Sequence, residues 1–321
     1  MTEAVGHTGI ERSSDVEACP DGLPAALLDT VEQLRGHPRT VETLPGGLTN
    51  VNYKVTTPAG CFVVRHFTED ASALAIDRRQ EYRNSVRAAA IGVGAPVVAF
   101  VPGQHLLVVG FIEGTTLTNA SFHDAGLIPR VAQSIRTLHS AEPFDTDFDM
   151  FAIQRRYLSI VQANGYQLPA GYLDFSGHVD RLAAALAHRP MPRVPCNNDL
   201  LAGNFIDDGS RIRIIDYEYS GNNDACFELG NVWSECELSL DQLAELVTCY
   251  FGRSDRQLIA RAELQGLMSK YGWTLWGSIQ ASISRIDYDF FNWGLQRFIG
   301  AAALFSSRRF DRLLDQAAGY E

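Results

Sequence analysis

Residues 196–235 read CNNDLLAGNFIDDGSRIRIIDYEYSGNNDACFELGNVWSE, and this stretch decides how the rest of the chain is interpreted. Asp199 and Asn204 lie five residues apart in a polar loop, and an apolar, strand-like run then leads to Asp216 and Glu218. Phosphoryl transfer needs a carboxylate near the acceptor hydroxyl and fixed oxygen ligands for Mg²⁺. The spacing therefore predicts that Asp199 accepts or orients the hydroxyl proton, while Asn204 and Asp216 hold Mg²⁺. Glu218 either joins this metal site or supports it from behind.

The competing interpretation of this loop is structural. Asp and Asn are common turn and helix-cap residues, and an isolated pair at this spacing is a weak signal. Here the pair lies between two apolar, β-like segments, and the second segment ends in another Asp. The segment as a whole therefore favours phosphoryl transfer.

Hydrophobic periodicity divides the chain into a β-rich N-lobe and a helical C-lobe, with the boundary near residue 113. The predicted N-lobe elements are a helix at 23–34, strands at 40–44, 51–57 and 61–67, a helix at 73–91, and a hairpin of strands at 96–101 and 104–111. The predicted C-lobe helices are at 123–140, 149–164, 175–188, 226–238, 240–251 and beyond 255. The expected fold class is α+β and bilobal, with a small antiparallel sheet in 23–112 and mainly helices in 113–321. Residues 1–22 are expected to form a mobile tail.

The N-lobe contains candidates for binding a nucleotide. Glycines in a turn let backbone N–H groups approach phosphate oxygens, and a cation on the next strand is placed to reach them. The residues so assigned are Gly46, Gly47, Thr49, Asn50, Arg65, its helical partner Glu81, and Phe111 and Ile112, whose backbone would contact adenine. The alternatives are an ordinary Pro-Gly-Gly turn and an edge-strand arginine that faces water. The expected cofactors are ATP and Mg²⁺.

Composition narrows the class of partner. The net charge of -11 argues against nucleic acid or an anionic membrane surface and suits a small cationic substrate, although many acidic proteins are merely soluble. No apolar run approaches the length of a membrane span, and the N-terminus lacks the pattern of a signal peptide. The six cysteines show no metal-ligand spacing, so we expect free thiols in a cytoplasmic protein. The sequence leaves monomer and homodimer open.

The catalytic segment and a second motif resemble the choline/ethanolamine kinase family, within the wider aminoglycoside-phosphotransferase and protein-kinase-like fold. The motifs are NND-LLAG-N, IDYEYS and FELGN followed by Glu235, and, near the C-terminus, WTLW at 273–276 and QASISRIDY at 280–288. The resemblance covers roughly residues 40–310. It implies an ATP- and Mg²⁺-dependent kinase that phosphorylates the hydroxyl of choline.

A quaternary ammonium has no N–H to donate, so a site selects it with aromatic faces and a nearby carboxylate. The residues that match the family's choline pocket are Tyr219, Glu235, Trp273, Trp276, Tyr288 and Trp293. Trp273 and Trp276 share a helix face, and the alternative is that they are core residues.

Some positions depart from the family pattern and keep other functions open. Asn197 replaces the usual His before Asn198 and Asp199, while Leu201 and Trp293 differ from residues common in relatives. The alternative acceptors are ethanolamine, thiamine and aminoglycoside or amino-sugar hydroxyls. A different class of answer is a non-catalytic nucleotide-binding protein with a decayed loop.

Overall fold

The computed structural model describes residues 23–67 and 72–320, so the expectation for residues 1–22 lies outside the described part. The N-terminal region forms a five-stranded antiparallel sheet in the order β1-β2-β3-β5-β4. Its strands are β1 (Thr40–Leu44), β2 (Val51–Thr57), β3 (Gly60–His66), β4 (Val97–Val101) and β5 (Leu106–Gly110). Helix α2 (Arg78–Ala90) follows β3 and begins at Asp77, whose carboxylate accepts the N–H groups of Arg79 and Gln80. The predicted order of elements in the N-lobe is confirmed.

The first helix is shorter than predicted. Helix α1 spans only Ala25–Leu28, and the chain then continues through turns to the left-handed Gly36. Leu28 of α1 and, in the turns after it, Val31 and Leu34 nevertheless pack against the sheet, because the turns keep a helix-like spacing. The predicted helix at 23–34 is therefore too long, although these apolar residues are buried.

The remainder of the chain is mainly helical. The helices are α3 (Leu127–His139), α4 (Met150–Asn164), α5 (Ser176–His188), α6 (Ala225–Glu235), α7 (Leu240–Phe251), α8 (Arg256–Ile283), α9 (Phe290–Phe305) and α10 (Arg308–Ala318). Helix α8 is 28 residues long and buried on nearly all sides from Leu258 to Gln280. A helix that is buried all round forms the centre of a bundle, and α4, α6, α9 and α10 pack against α8.

Small residues set how closely these helices approach. A Cβ on Gly230 of α6 would overlap the carbonyl oxygen of Ala262 in α8, and a Cβ on Gly277 would lie 2.9 Å from Gly294 Cα in α9. The two glycine contacts bring the middle of α6 against the first half of α8, and the start of α9 against the C-terminal part of α8. This packing places residues from three helices beside the catalytic segment.

Short strands carry the catalytic segment itself. They are β6 (Thr115–Thr116), β7 (Arg193–Cys196), β8 (Phe205–Asp207), β9 (Ile212–Ile214) and β10 (Gly221–Asp224), which form a β6-β8-β9 sheet and a β10-β7 pair. The β8–β9 hairpin brings its two ends together, and the N–H of Ile215 donates to the carbonyl of Asn204 at 3.0 Å. Asn204 and Asp216 therefore become neighbours although 12 residues separate them. No described helix is both long and apolar enough to cross a bilayer.

Candidate active site

The catalytic loop is held from below by helix α6. Both carboxylate oxygens of Glu228 accept backbone N–H groups, from Asn197 at 2.8 Å and from Asn198 at 2.7 Å. The side-chain oxygen of Asn231, one turn later on α6, accepts the N–H of Leu200 at 2.6 Å. These bonds satisfy loop N–H groups that would otherwise be buried without partners. The FELGN motif was visible in the sequence, but the sequence did not indicate that Glu228 and Asn231 hold the catalytic loop.

Asn197 connects the catalytic loop to residues 215–216, called the metal loop here because the sequence predicts Asp216 as a metal ligand. The Asn197 amide nitrogen donates to the carbonyls of Ile215 at 3.2 Å and Asp216 at 2.7 Å. Its amide oxygen accepts the N–H of Asp199 at 3.1 Å. Asp216 has φ of 63°, a left-handed conformation that is strained for a non-glycine residue. The residue that departs from the family pattern is therefore fully hydrogen-bonded and braces both loops.

Asp199 lies in a negative, partly buried environment. Burial, followed by the charges of Asp216 and Glu218, raises the pKa of the Asp199 carboxyl well above its usual range. The side-chain nitrogen of Asn204 donates to the carbonyl of Asp199 at 2.7 Å, which leaves the Asn204 amide oxygen as a candidate ligand. A carboxylate with a raised pKa is suited to accepting a proton from an acceptor hydroxyl.

Arg65 joins the two lobes. Its guanidinium donates two parallel hydrogen bonds to Asp216, each 2.8 Å long, and lies 3.0 Å from Glu81 of α2. The predicted pair between Arg65 and Glu81 is therefore present. Two-point binding of a carboxylate is the geometry for which a guanidinium is best suited. The Asp216 carboxylate, which the sequence predicts as a metal ligand, is therefore bound by Arg65.

The side chains of the glycine turn point to Glu218. Thr49 donates to Glu218 at 3.0 Å, and Asn50 donates to it at 3.0 Å. A Cβ on Gly47 would overlap the carbonyl oxygen of Asn50, so the turn requires glycine at this position. Thr49 and Asn50 therefore connect the turn to the C-lobe through their side chains, and only their backbone groups remain for a phosphate.

Sequence reasoning missed Arg78. Its guanidinium lies 2.8 Å from Glu81 and 3.1 Å from Glu218, and it donates to Asn50 at 2.8 Å. Burial and the charge of Asp216 raise the pKa of Glu218, whereas Arg65 and Arg78 oppose the shift. The available signal was its position three residues before Glu81, which puts both on one face of α2.

Of the predicted metal ligands, Asn204 and Asp216 have surroundings that fit a divalent cation. Asn204 offers a free amide oxygen, and Asp216 offers a carboxylate now held by a guanidinium, which a hard cation can replace. Glu218 differs, because Thr49, Asn50 and Arg78 already donate to its oxygens. In this structure Glu218 braces the N-lobe through these contacts, and its coordination of a metal stays a prediction.

These residues line a cleft of about 520 Å³ between the sheet and the helices. The predicted residues that line it are Gly46, Gly47, Thr49, Asn50, Arg65, Phe111, Ile112, Asp199, Asn204, Asp216, Glu218, Tyr219, Trp273, Trp276 and Trp293. Glu81 is buried behind Arg65. The N–H of Phe111 donates to the carbonyl of Cys61 at 3.0 Å, so its carbonyl and the next peptide remain for a base.

One end of the cleft is aromatic. Trp273 and Trp276 of α8 lie beside Tyr219, with Tyr219 and Trp273 ring centroids 4.8 Å apart in an edge-to-face arrangement. Trp293 of α9 lies 5.0 Å from Trp276. The indole nitrogen of Trp276 donates to the Tyr219 hydroxyl at 3.0 Å, and that hydroxyl also bonds to Tyr157. The helical spacing of the tryptophans therefore serves the cleft wall as well as the core.

Two predicted pocket residues lie elsewhere. Glu235 is buried at the end of α6, where its carboxylate pairs with Arg297 of α9 and accepts a hydrogen bond from Ser234. Tyr288 lies in the connection between α8 and α9, is 45% exposed, and packs edge-to-face on Phe290. The structure therefore does not bring Tyr288 into the cleft lining, because the connection turns its ring outward. It brings Glu235 close to the cleft, but behind its wall and already paired.

Comparison with known proteins agrees with this arrangement. The sequence model described as Choline/ethanolamine kinase matches residues 41–249. Ethanolamine kinase 2 of Rattus norvegicus is 29% identical over 315 residues, covering 87% of this chain and 80% of that protein. The crystal structure of a choline/ethanolamine kinase family protein from Mesorhizobium loti has a TM-score of 0.81 at 32% identity, covering 92% of this chain and 97% of that one. Choline kinase LicA from Streptococcus pneumoniae has a TM-score of 0.71 at 25% identity, covering 82% of this chain and 93% of that one.

The family match includes both the glycine turn and the catalytic segment, and the Mesorhizobium loti similarity extends over nearly the whole chain. The bilobal architecture with a small N-terminal antiparallel sheet is that of kinase-like phosphotransferases, as the motifs predicted. The chain therefore belongs to the choline/ethanolamine kinase family and is a small-molecule phosphotransferase that uses an alcohol hydroxyl as acceptor.

Proposed function

We propose that this protein is an ATP- and Mg²⁺-dependent choline kinase. The observation that carries the choice of choline is the state of the oxygens at the aromatic end of the cleft. The Tyr219 hydroxyl already accepts from Trp276, and the Glu235 carboxylate is already paired with Arg297. A primary ammonium needs acceptors for three N–H groups, whereas a trimethylammonium needs none. Aromatic faces whose neighbouring Tyr219 and Glu235 oxygens are already paired therefore favour the quaternary head, at about 0.5–2 kcal/mol for each ring contact.

The nucleotide belongs at the opposite, N-lobe end. The turn at Gly46 and Gly47 lines this end of the cleft, and the Arg65 guanidinium lies beside it, bound to Asp216. When ATP binds, we expect Arg65 to move from Asp216 towards the phosphates while keeping its contact with Glu81. Asn204 and Asp216 would hold Mg²⁺, which neutralises charge that develops on the transferred phosphoryl group.

Asp199 is the residue that acts on the acceptor. Its carboxylate orients the choline hydroxyl for in-line attack and takes the proton as the oxygen–phosphorus bond forms. Asn197 accepts the backbone N–H of Asp199, and Glu228 accepts the N–H groups of the two residues before it, so the loop that carries the carboxylate is held without substrate. Preorganised positioning of this kind supplies much of the rate in phosphoryl transfer.

The test is ADP release with a graded series of acceptors: choline, dimethylethanolamine, methylethanolamine and ethanolamine, with thiamine and an aminoglycoside added. We expect kcat/KM to be highest for choline and to fall as N–H groups replace methyl groups. The reverse order would make ethanolamine the substrate, the activity named for the Rattus norvegicus relative. Turnover restricted to thiamine or the aminoglycoside would refute the amino-alcohol assignment.

Two variants test the chemistry. Asp199→Asn is expected to lose turnover by at least about a hundredfold while nucleotide binding, measured by calorimetry, is unchanged. Asp311→Asn is the matched control, because Asp311 is an exposed carboxylate on α10 paired with Arg181. Turnover that survives in Asp199→Asn would remove Asp199 from the mechanism. No turnover with any acceptor in the parent protein would favour a non-catalytic nucleotide-binding function.

A further inference from the structure

The helices α6 and α9 place an ion pair directly behind the aromatic wall. The Arg297 guanidinium bonds to the Glu235 carboxylate, and its central carbon lies 3.3 Å from the centre of the Trp293 ring. Arg297 also donates to the carbonyl of Trp293 at 3.3 Å. The side chain of Glu235 is only 1% exposed, whereas that of Arg297 is 19% exposed. The pair therefore lies between the bundle interior and the cleft.

The pair contacts the acceptor end of the cleft through Trp293, on which the Arg297 guanidinium stacks. Trp293 lies 5.0 Å from Trp276, and both rings line the cleft. Because Arg297 covers one face of Trp293, a bound ammonium has only the opposite face and the edge of that ring available.

A buried carboxylate beside a cationic substrate would normally bind the cation directly. An unpaired Glu235 would prefer a primary ammonium, because N–H groups donate hydrogen bonds and methyl groups do not. Pairing with Arg297 removes both the net charge and the free acceptor. The family resemblance assigned Glu235 to the substrate, and the structure assigns it to Arg297.

We propose that Arg297 is a positioning residue that sets acceptor preference by holding Glu235 in an ion pair, so that aromatic faces alone select the ammonium head. This inference rests on the proposed function, since it concerns the acceptor end of the same site. It adds a determinant of the choice between methylated and primary amines that lies outside the cleft lining.

Lys270 is a second cation near Glu235. Its ammonium lies 4.9 Å from the centre of the Trp233 ring, and burial lowers its pKa while Glu235 opposes that shift. Loss of Arg297 alone leaves Lys270 able to compensate in part. The experiment therefore needs a variant in which both cations are absent.

The experiment measures kcat/KM for choline and for ethanolamine with one preparation of each variant. The ratio of the two values does not depend on the active fraction, so partial unfolding does not affect it. In Arg297→Met we expect the choline-to-ethanolamine ratio to fall at least about tenfold, and further in Arg297→Met/Lys270→Met. The fall should come from a lower KM for ethanolamine rather than from a change in its kcat.

Restoration and controls complete the design. Arg297→Met/Glu235→Gln should return the ratio to the parent value, and Arg297→Lys should remain near it. Arg309→Met is the matched control, because Arg309 makes a comparable pair with Glu263, at 2.6 Å, away from the cleft. An unchanged ratio in both Arg297→Met and the double cation variant, or an equal fall in Arg309→Met, would overturn the inference.

The choline assignment and the role of Arg297 can be refuted independently of each other. A parent enzyme that prefers ethanolamine refutes the choline assignment, yet the shift in ratio caused by Arg297→Met can still be measured. A parent enzyme that prefers choline but shows no shift refutes only the role of Arg297.

Discussion

Replacing Asn197 with Ala tests how the catalytic and metal loops are held together. The substitution removes three hydrogen bonds, to Ile215, Asp216 and Asp199, from a side chain that is fully buried. At about 1 kcal/mol net for each neutral bond, the expected loss of unfolding free energy is about 3 kcal/mol. The left-handed Asp216 stores about 1–3 kcal/mol of strain that Asn197 helps to hold.

Release of this strain should displace the Asp216 carboxylate. We expect the Mg²⁺ concentration for half-saturation in the presence of ATP to rise about tenfold, which corresponds to about 1.4 kcal/mol. Urea unfolding measures the stability, and Mg²⁺ titration followed by nucleotide fluorescence measures the metal requirement without turnover. The Asn197→Asp variant should be worse than Asn197→Ala, because it replaces the donor by a second negative charge beside Asp216.

Asn222→Ala is the matched control. Asn222 accepts from the N–H of Phe144 and donates to the carbonyls of Phe144 and Thr146, so its bonds hold the 144–147 segment rather than the metal loop. It should lose similar stability and keep the parent Mg²⁺ requirement. If Asn197→Ala is as stable as the parent, or if both variants change the Mg²⁺ requirement equally, the bracing role is refuted.

Three further predictions concern packing, the lobe contact and pH. Gly230→Ala should lower the unfolding free energy by at least about 3 kcal/mol, because its Cβ would overlap the α8 backbone. Gly177→Ala in α5 is the control: its Cβ meets open space, so it should be neutral or stabilise the protein by about 0.4–1 kcal/mol. Arg78→Met should lower unfolding free energy by about 2–3 kcal/mol, with Arg78→Lys intermediate, and equal melting of both variants would contradict the hydrogen-bond geometry. The Ser210 hydroxyl and backbone N–H groups hold the pKa of Asp208 below its usual range, so its stabilisation is present above pH about 4 and is lost as pH falls further. Asp208→Ala should therefore be less stable than the parent at pH 7, and this difference should shrink in acid denaturation curves below pH about 4.

The fold was predictable because its signals are local. Alternating apolar residues marked the five N-lobe strands, and the Asp199, Asn204 and Asp216 spacing marked a loop, a hairpin and a second carboxylate. These features depend on side-chain periods of 2 and 3.6 residues, which any single sequence displays. The length of α1 was wrong because turns can keep helical spacing without helical hydrogen bonds.

Long-range partners were not predictable in the same way. Thr49 bonds to Glu218 across 169 positions, and Arg65 bonds to Asp216 across 151. Which guanidinium pairs with which carboxylate depends on how the sheet packs against the helices. The spacing of residues along the sequence contains no information on that packing. Arg78 was missed for this reason, although its pair with Glu81 was visible on one helix face.

The sequence by itself determined the reaction class, because phosphoryl transfer requires a small set of oxygen ligands at a spacing that a hairpin imposes. The family resemblance, added to the shared helix face of Trp273 and Trp276, also predicted an aromatic pocket, and both rings line the cleft. Only the tertiary structure decided which polar groups remain free. The close α6–α8–α9 packing pairs Glu235 with Arg297, and the β8–β9 hairpin puts Asn197 against Asp216. Both outcomes depend on distances between elements far apart in sequence, and these distances determine the charge and hydrogen bonding that a substrate meets.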